Sequence, residues 1–126
     1  MEEKELMMRI AVSADGPDLE AQVDPRFGRA PYFLLVNPET LEFETVTNQQ
    51  NLQAAQGAGI QAAALVARQR PQAVVTGNCG PKAYHTLVAA GISVVLGVGG
   101  SVREAVQQYQ QGKLNPAPGP NVAGHW

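Results

Sequence analysis

Cysteine occurs once in this chain, as Cys79, in a sequence of 126 residues. One thiol cannot close an internal disulfide, and no paired-cysteine spacing exists from which a structural zinc site could be built. A reducing compartment, the cytoplasm, is therefore expected. Charge is also sparse: 16% of residues are charged, the formal net charge is -2, and no run of lysine and arginine occurs. So mild an acidity gives little electrostatic reason to expect a nucleic-acid partner. No apolar stretch reaches the roughly 18 residues of a membrane-spanning helix, so no membrane partner is expected. The start, Met1-Glu2-Glu3-Lys4-Glu5-Leu6-Met7-Met8, is charged and lacks the apolar core of a secretion signal. Residues 1–8 are expected to form a mobile extension ahead of the first strand.

What is present suits one soluble domain with a real core. The hydrophobic fraction is 44% and the mean hydropathy is -0.14, and the length needs no staples. Residues 9–14 are rich in β-branched and small side chains and read as a strand, closed by the turn residues Asp15-Gly16-Pro17-Asp18. Residues 32–36 are a continuous apolar run, and a strand is predicted over 31–36. Residues 41–46 alternate, placing Glu42 and Glu44 on one face and Leu41 and Phe43 on the other, so the two runs predict an antiparallel hairpin with its second strand at a sheet edge. Residues 47–56 are polar and read as irregular.

Gly57-Ala58-Gly59-Ile60-Gln61-Ala62 matches a dinucleotide fingerprint, but no strand runs into it and no acid follows about 20 residues on. It reads instead as the start of a helix over 58–69, with Ile60, Ala63, Ala64 and Ala67 as its apolar face. Strands are predicted at 73–76 and 92–96, and helices at 81–90, with Ala83, Leu87 and Ala90 inward, and at 101–111. The last opens on the capping box Ser101-Val102-Arg103-Glu104 and buries Val102, Ala105, Val106 and Tyr109. The element order βββαβαβα predicts an α/β domain over 9–112: one five-stranded mixed sheet with three helices, strands four and five parallel to the first. Ligands of such sheets bind beyond the carboxyl ends of the parallel strands, where Asp15, the Cys79 loop and residues 97–100 should gather.

Two loops carry the chemistry. In Ala73-Val74-Val75-Thr76-Gly77-Asn78-Cys79-Gly80-Pro81, a strand runs through a turn into a helix start. The free amides there favour an anion or a thiolate. A lone cysteine more often serves as a small buried hydrophobe, and the loop by itself favours that reading. In Val23-Asp24-Pro25-Arg26-Phe27-Gly28-Arg29-Ala30, an aromatic between two arginines can stack and bind an oxyanion. Equally, Phe27 can plug the edge of the core while the arginines pair with Asp24 or solvent. Residues 113–126, rich in proline and glycine, read as a flexible tail, whose His125 and Trp126 could fold over a ligand.

These two loops, with Tyr32-Phe33, the Gly57 segment and Ala90-Gly91-Ile92, resemble the dinitrogenase iron-molybdenum cofactor biosynthesis family over about residues 9–112. That family includes nitrogenase cofactor carriers, the carboxy-terminal domain of the cofactor synthase and small stand-alone members. The resemblance implies a ribonuclease H-like motif. It also implies non-covalent carriage of a metal-sulfur cluster or iron-molybdenum cofactor precursor rather than turnover, with cofactor-assembly proteins as partners. In the nitrogenase carriers the first loop reads Asp-x-His-Phe-Gly, and its histidine is implicated in holding the cofactor. Here Arg26 stands at that place; it cannot coordinate a metal in the usual way, but it can hydrogen-bond an anionic cluster.

The candidate cofactor-binding set is Asp24, Arg26, Phe27, Gly28, Gly77, Asn78, Cys79 and Gly80. Cys79 and His125 are the candidate metal contacts. The cargo would be an iron-molybdenum, iron-sulfur or copper-sulfide species, which a soft thiolate suits. A phosphate- or nucleotide-binding regulatory domain is the main alternative. A ribonuclease H-like nuclease is disfavoured, because only Asp15 ends a core strand and two metal ions need converging carboxylates.

Overall fold

Ile10–Ala14 (β1) is buried along its whole length and is the central strand of the sheet. The computed structural model describes residues 9–52 and 57–122, so the expected extension at 1–8 lies outside the described residues. β1 pairs antiparallel with Tyr32–Val36 (β2), which pairs antiparallel with Phe43–Thr47 (β3). On its other side β1 runs parallel to Ala73–Val75 (β4), and β4 runs parallel to Ser93–Val95 (β5). The sheet order is β3-β2-β1-β4-β5, a mixed five-stranded sheet.

Both faces are covered, which is why β2 has no polar face. Ile10, Val12, Leu34, Val36, Val75 and Val95 share one cluster with Val102, Ala105 and Val106 of the helix Val102–Gln110 (α4). The alternate residues Ala11, Phe33, Leu35, Val74 and Val94 pack with the helices Ala58–Arg68 (α2) and Pro81–Ala89 (α3). The period-two alternation of a strand delivers successive side chains to the two layers. At the start of α4 both halves of the predicted capping box form. Ser101 Oγ accepts from the Glu104 amide at 3.1 Å and Glu104 Oε1 from the Ser101 amide at 3.0 Å, and these bonds hold the Glu104 carboxyl below its usual pKa.

Several expectations need correction. Among the described residues there are four α-helices rather than three, because Gln49–Leu52 (α1) forms within the stretch read as irregular. Thr47 Oγ1 accepts the Gln49 amide at 3.3 Å, and the buried Asn48 carboxamide donates to the carbonyl of Ala30 at 2.8 Å and accepts from Asn51 at 2.7 Å. Side chains thus supply partners for a helix too short to be signalled by a period. β3 starts at Phe43, two residues later than expected. Leu41 takes a left-handed φ of 65° in the preceding turn, where Asn37 accepts the amides of Glu39, Thr40 and Leu41. Phe43 is 44% exposed, since an edge strand has no layer beyond it. On α2 the buried residues are Ala58, Ala62, Ala63, Leu65 and Val66, while Ile60 is 42% exposed. The adjacent bulky pair Leu65-Val66 turns the helix away from the face that Ile60 and Ala64 would define. Ala90 lies past the end of α3 and is exposed.

Candidate functional site

Beyond the carboxyl ends of β1, β4 and β5, three loops meet. The Gly97 amide donates to the Gly77 carbonyl at 2.8 Å, Val98 to Thr76 at 3.2 Å and Val23 to Gly100 at 2.9 Å. The Asp15 carboxylate accepts the Gln22 amide at 2.9 Å and so shapes the turn after β1.

The two chemistry-bearing loops join each other directly. The Phe27 amide donates to the Asn78 carbonyl at 3.1 Å, and Asn78 Nδ2 donates to the Pro25 carbonyl at 2.8 Å. Gly77 is pressed so closely on this loop that a Cβ there would lie 2.8 Å from Pro25 Cα and 3.0 Å from its carbonyl oxygen. Beneath the junction Ser13 Oγ donates to the Asp24 carbonyl at 2.8 Å and lies 2.7 Å from Thr76 Oγ1. Since the serine proton is used on Asp24, Thr76 is the donor in the second bond.

Within this frame the expected residues divide by depth. Arg26 is exposed, and its guanidinium makes no hydrogen bond or ion pair among the described residues. Asp24 is buried; its Oδ1 accepts the Arg26 amide at 2.9 Å and sets the turn that presents that arginine. Phe27 is fully buried, its ring centroid 5.1 Å from that of Phe33, so it plugs the core rather than offering a stacking face. Its burial contributes about 1.5–3 kcal/mol. Gly28 and Gly80 are buried backbone positions, and Gly80 caps α3 without a side-chain hydrogen bond.

Cys79 takes the place of a small buried hydrophobe, the reading that its loop by itself favoured, rather than standing exposed at the helix start. It is fully buried in the layer with Phe27, Ala83 and Leu87, and Sγ faces the Gly80 carbonyl at 3.7 Å. Burial pushes the thiol up to about 12, because the charged form loses its water and the end of α3 does not make good the loss. His85 is exposed on α3, its ring 5.5 Å from that of Tyr84. His125 lies outside the described residues. No group of three or more histidine, cysteine, aspartate or glutamate side chains that could hold a metal ion exists among the described residues.

A residue that the sequence did not single out completes the site. Asn121 Oδ1 accepts the Cys79 amide at 2.9 Å, and Asn121 Nδ2 donates to the Gly77 carbonyl and to Asn78 Oδ1, both at 3.2 Å. Nothing local marks it, since it stands in a segment without periodicity. Residues 113–122, expected as part of a flexible tail, carry these bonds and others along β5 and α3.

The dinitrogenase iron-molybdenum cofactor family model matches residues 8–112, which include both loops. The chain belongs to that family. The structure is similar to the apo form of the orange protein from Desulfovibrio gigas, at 45% identity and TM-score 0.88, covering 92% of this chain and 98% of that one. It is also similar to a Thermotoga protein provisionally described as NifB, at 31% identity and TM-score 0.78, covering 94% of this chain and all of that one. In sequence it is 31% identical over 110 residues to an uncharacterised protein of Methanocaldococcus jannaschii, over 86% of this chain and 90% of the relative. Among the described residues of this family member, no helix is long and apolar enough to cross a membrane.

Proposed function

We propose that this protein is a non-catalytic carrier of an anionic metal-sulfur cluster or iron-molybdenum cofactor precursor, held non-covalently on the surface made by residues 24–29 and 77–80. The observation that carries the reading is Arg26: an exposed guanidinium without a partner among the described residues, presented by a buried Asp24 turn that is bonded to the Cys79 loop. Guanidinium groups and backbone amides suit anions whose charge is spread over several atoms. The absence of a three-ligand group among the described residues favours charge and hydrogen bonding over side-chain coordination. Family membership and the likeness to a protein described in an apo form support a cofactor as cargo.

In this conformation Asn121 occupies both the amide and the carbonyl of Cys79, and ligation through sulfur requires the loop to open. The sheet order, with β1 central between an antiparallel hairpin and two parallel strands, supports reading the fold as ribonuclease H-like. A carrier of this kind would exchange its cargo with cofactor-assembly proteins in the cytoplasm.

The test is anaerobic loading with a synthetic thiometallate, followed by metal and sulfide analysis of wild type and Arg26→Gln. Retained metal and sulfide in fixed ratio in wild type, with about tenfold weaker retention in the variant, is the expected result. A colourless protein that retains neither, yet binds inorganic phosphate at the same surface, would replace this reading with the regulatory one.

A further inference from the structure

We propose that residues 113–121 are a strap that closes the Cys79 loop and gates access to its thiol. The strap lies beyond the part of the chain that matches the family, residues 8–112. It is fastened at separate points along its length. The Lys113 amide donates to the Gln108 carbonyl at 3.0 Å, and Leu114 packs against the α4 layer. The Ala117 amide donates to the Val94 carbonyl of the edge strand β5 at 2.7 Å, and the Ala117 carbonyl accepts from the Tyr84 hydroxyl at 2.9 Å. The last fastening is Asn121, whose carboxamide makes the three bonds to residues 77–79 and whose amide donates to the Cys79 carbonyl at 3.3 Å.

The construction favours release as a unit. Residues 116, 118 and 120 are prolines, which have no amide proton and stiffen the backbone, so few donors hold this stretch down. β5 is already paired with β4, so lifting the strap breaks no ladder of the sheet. Asn121 is itself exposed, and water competes for its bonds. Once Asn121 leaves, the Cys79 amide and the 77–80 turn lose the clasp that holds the sulfur side inward. The thiol then meets whatever soft metal ion or electrophile is present. The inference stands on this geometry and does not depend on the carrier reading.

Cys79 is the only thiol in the chain, so its labelling reports the loop alone. The experiment measures the rate of N-ethylmaleimide labelling in the native full-length protein for wild type, Asn121→Ala and Tyr84→Phe, with amide exchange of β1 followed in parallel. The expected result is labelling faster by about tenfold in Asn121→Ala and by a smaller factor in Tyr84→Phe, with β1 exchange unchanged. Equal labelling rates in all three proteins would overturn the proposal. So would acceleration matched step for step by β1 exchange, since the thiol would then be reached only through global unfolding.

Discussion

The carboxamide of Asn78 donates to the carbonyl of Pro25 at 2.8 Å across a sequence separation of 53 residues. A bond from Phe27 returns to the Asn78 carbonyl, so the two loops exchange hydrogen bonds much as neighbouring strands do. The loop that presents Arg26 and the loop that contains Cys79 therefore form one unit, and a disturbance of either is felt by both.

Gly77 is where this unit has no room to spare. Replacement by alanine places a Cβ 2.8 Å from a backbone atom of Pro25, which can yield only if the loops separate. Gly77→Ala is expected to lose about 1–3 kcal/mol in urea unfolding and to weaken cargo retention along with it. Unchanged stability would mean that the two loops slide past one another freely.

The buried hydroxyl pair beneath the site predicts an asymmetry. Ser13→Ala removes the acceptor of Thr76 and the side-chain donor to Asp24 together, leaving a buried hydroxyl unsatisfied, at a cost of about 1–3 kcal/mol. Thr76→Val removes one donor and keeps the shape, and should cost about 1 kcal/mol. Chemical denaturation of the two variants checks the order. A larger loss for Thr76→Val would reverse the donor assignment.

Burial of Cys79 makes stability depend on pH in alkali. The folded thiol keeps its proton up to about 12, whereas in the unfolded chain it ionises near its ordinary value of 9.0. Between those values the unfolded state binds fewer protons, so the contribution is complete below pH 9 and falls by roughly 1.4 kcal/mol per pH unit above it. Urea melts from pH 7 to 10.5 should show this decline in wild type and a shallower one in Cys79→Ala. Parallel curves would show that the thiol reaches water in the folded state.

Much of this architecture was legible in the residues. The apolar run at 32–36, the Ser101 capping box and the strand before Gly77 each pair a pattern with a physical requirement, and each element lies within two residues of its expected bounds. The neighbourhood of the two loops followed from the rule about strand ends. The rest depended on contacts that sequence spacing does not encode. Whether Cys79 faces water or the core is decided by the helices packed over it. Ile60 is exposed because Leu65 and Val66 win the helix face. α1 exists because Asn48 finds partners from distant carbonyls. Asn121 is held by a loop that is 42–44 positions away, with no periodicity to announce it.

The strap also bears on how the protein is made. Parallel pairing of β1 with β4 must wait until both have been synthesised, so the Arg26 loop has no Asn78 to hold it for a long stretch of translation. Asn121 is added to the growing chain 43 residues after Asn78, an interval of roughly 2 to 9 seconds at ordinary elongation rates. During that interval the newborn chain has both loops and no clasp. Its thiol passes through an open stage once in every molecule's life, before any folded copy has to lift the strap.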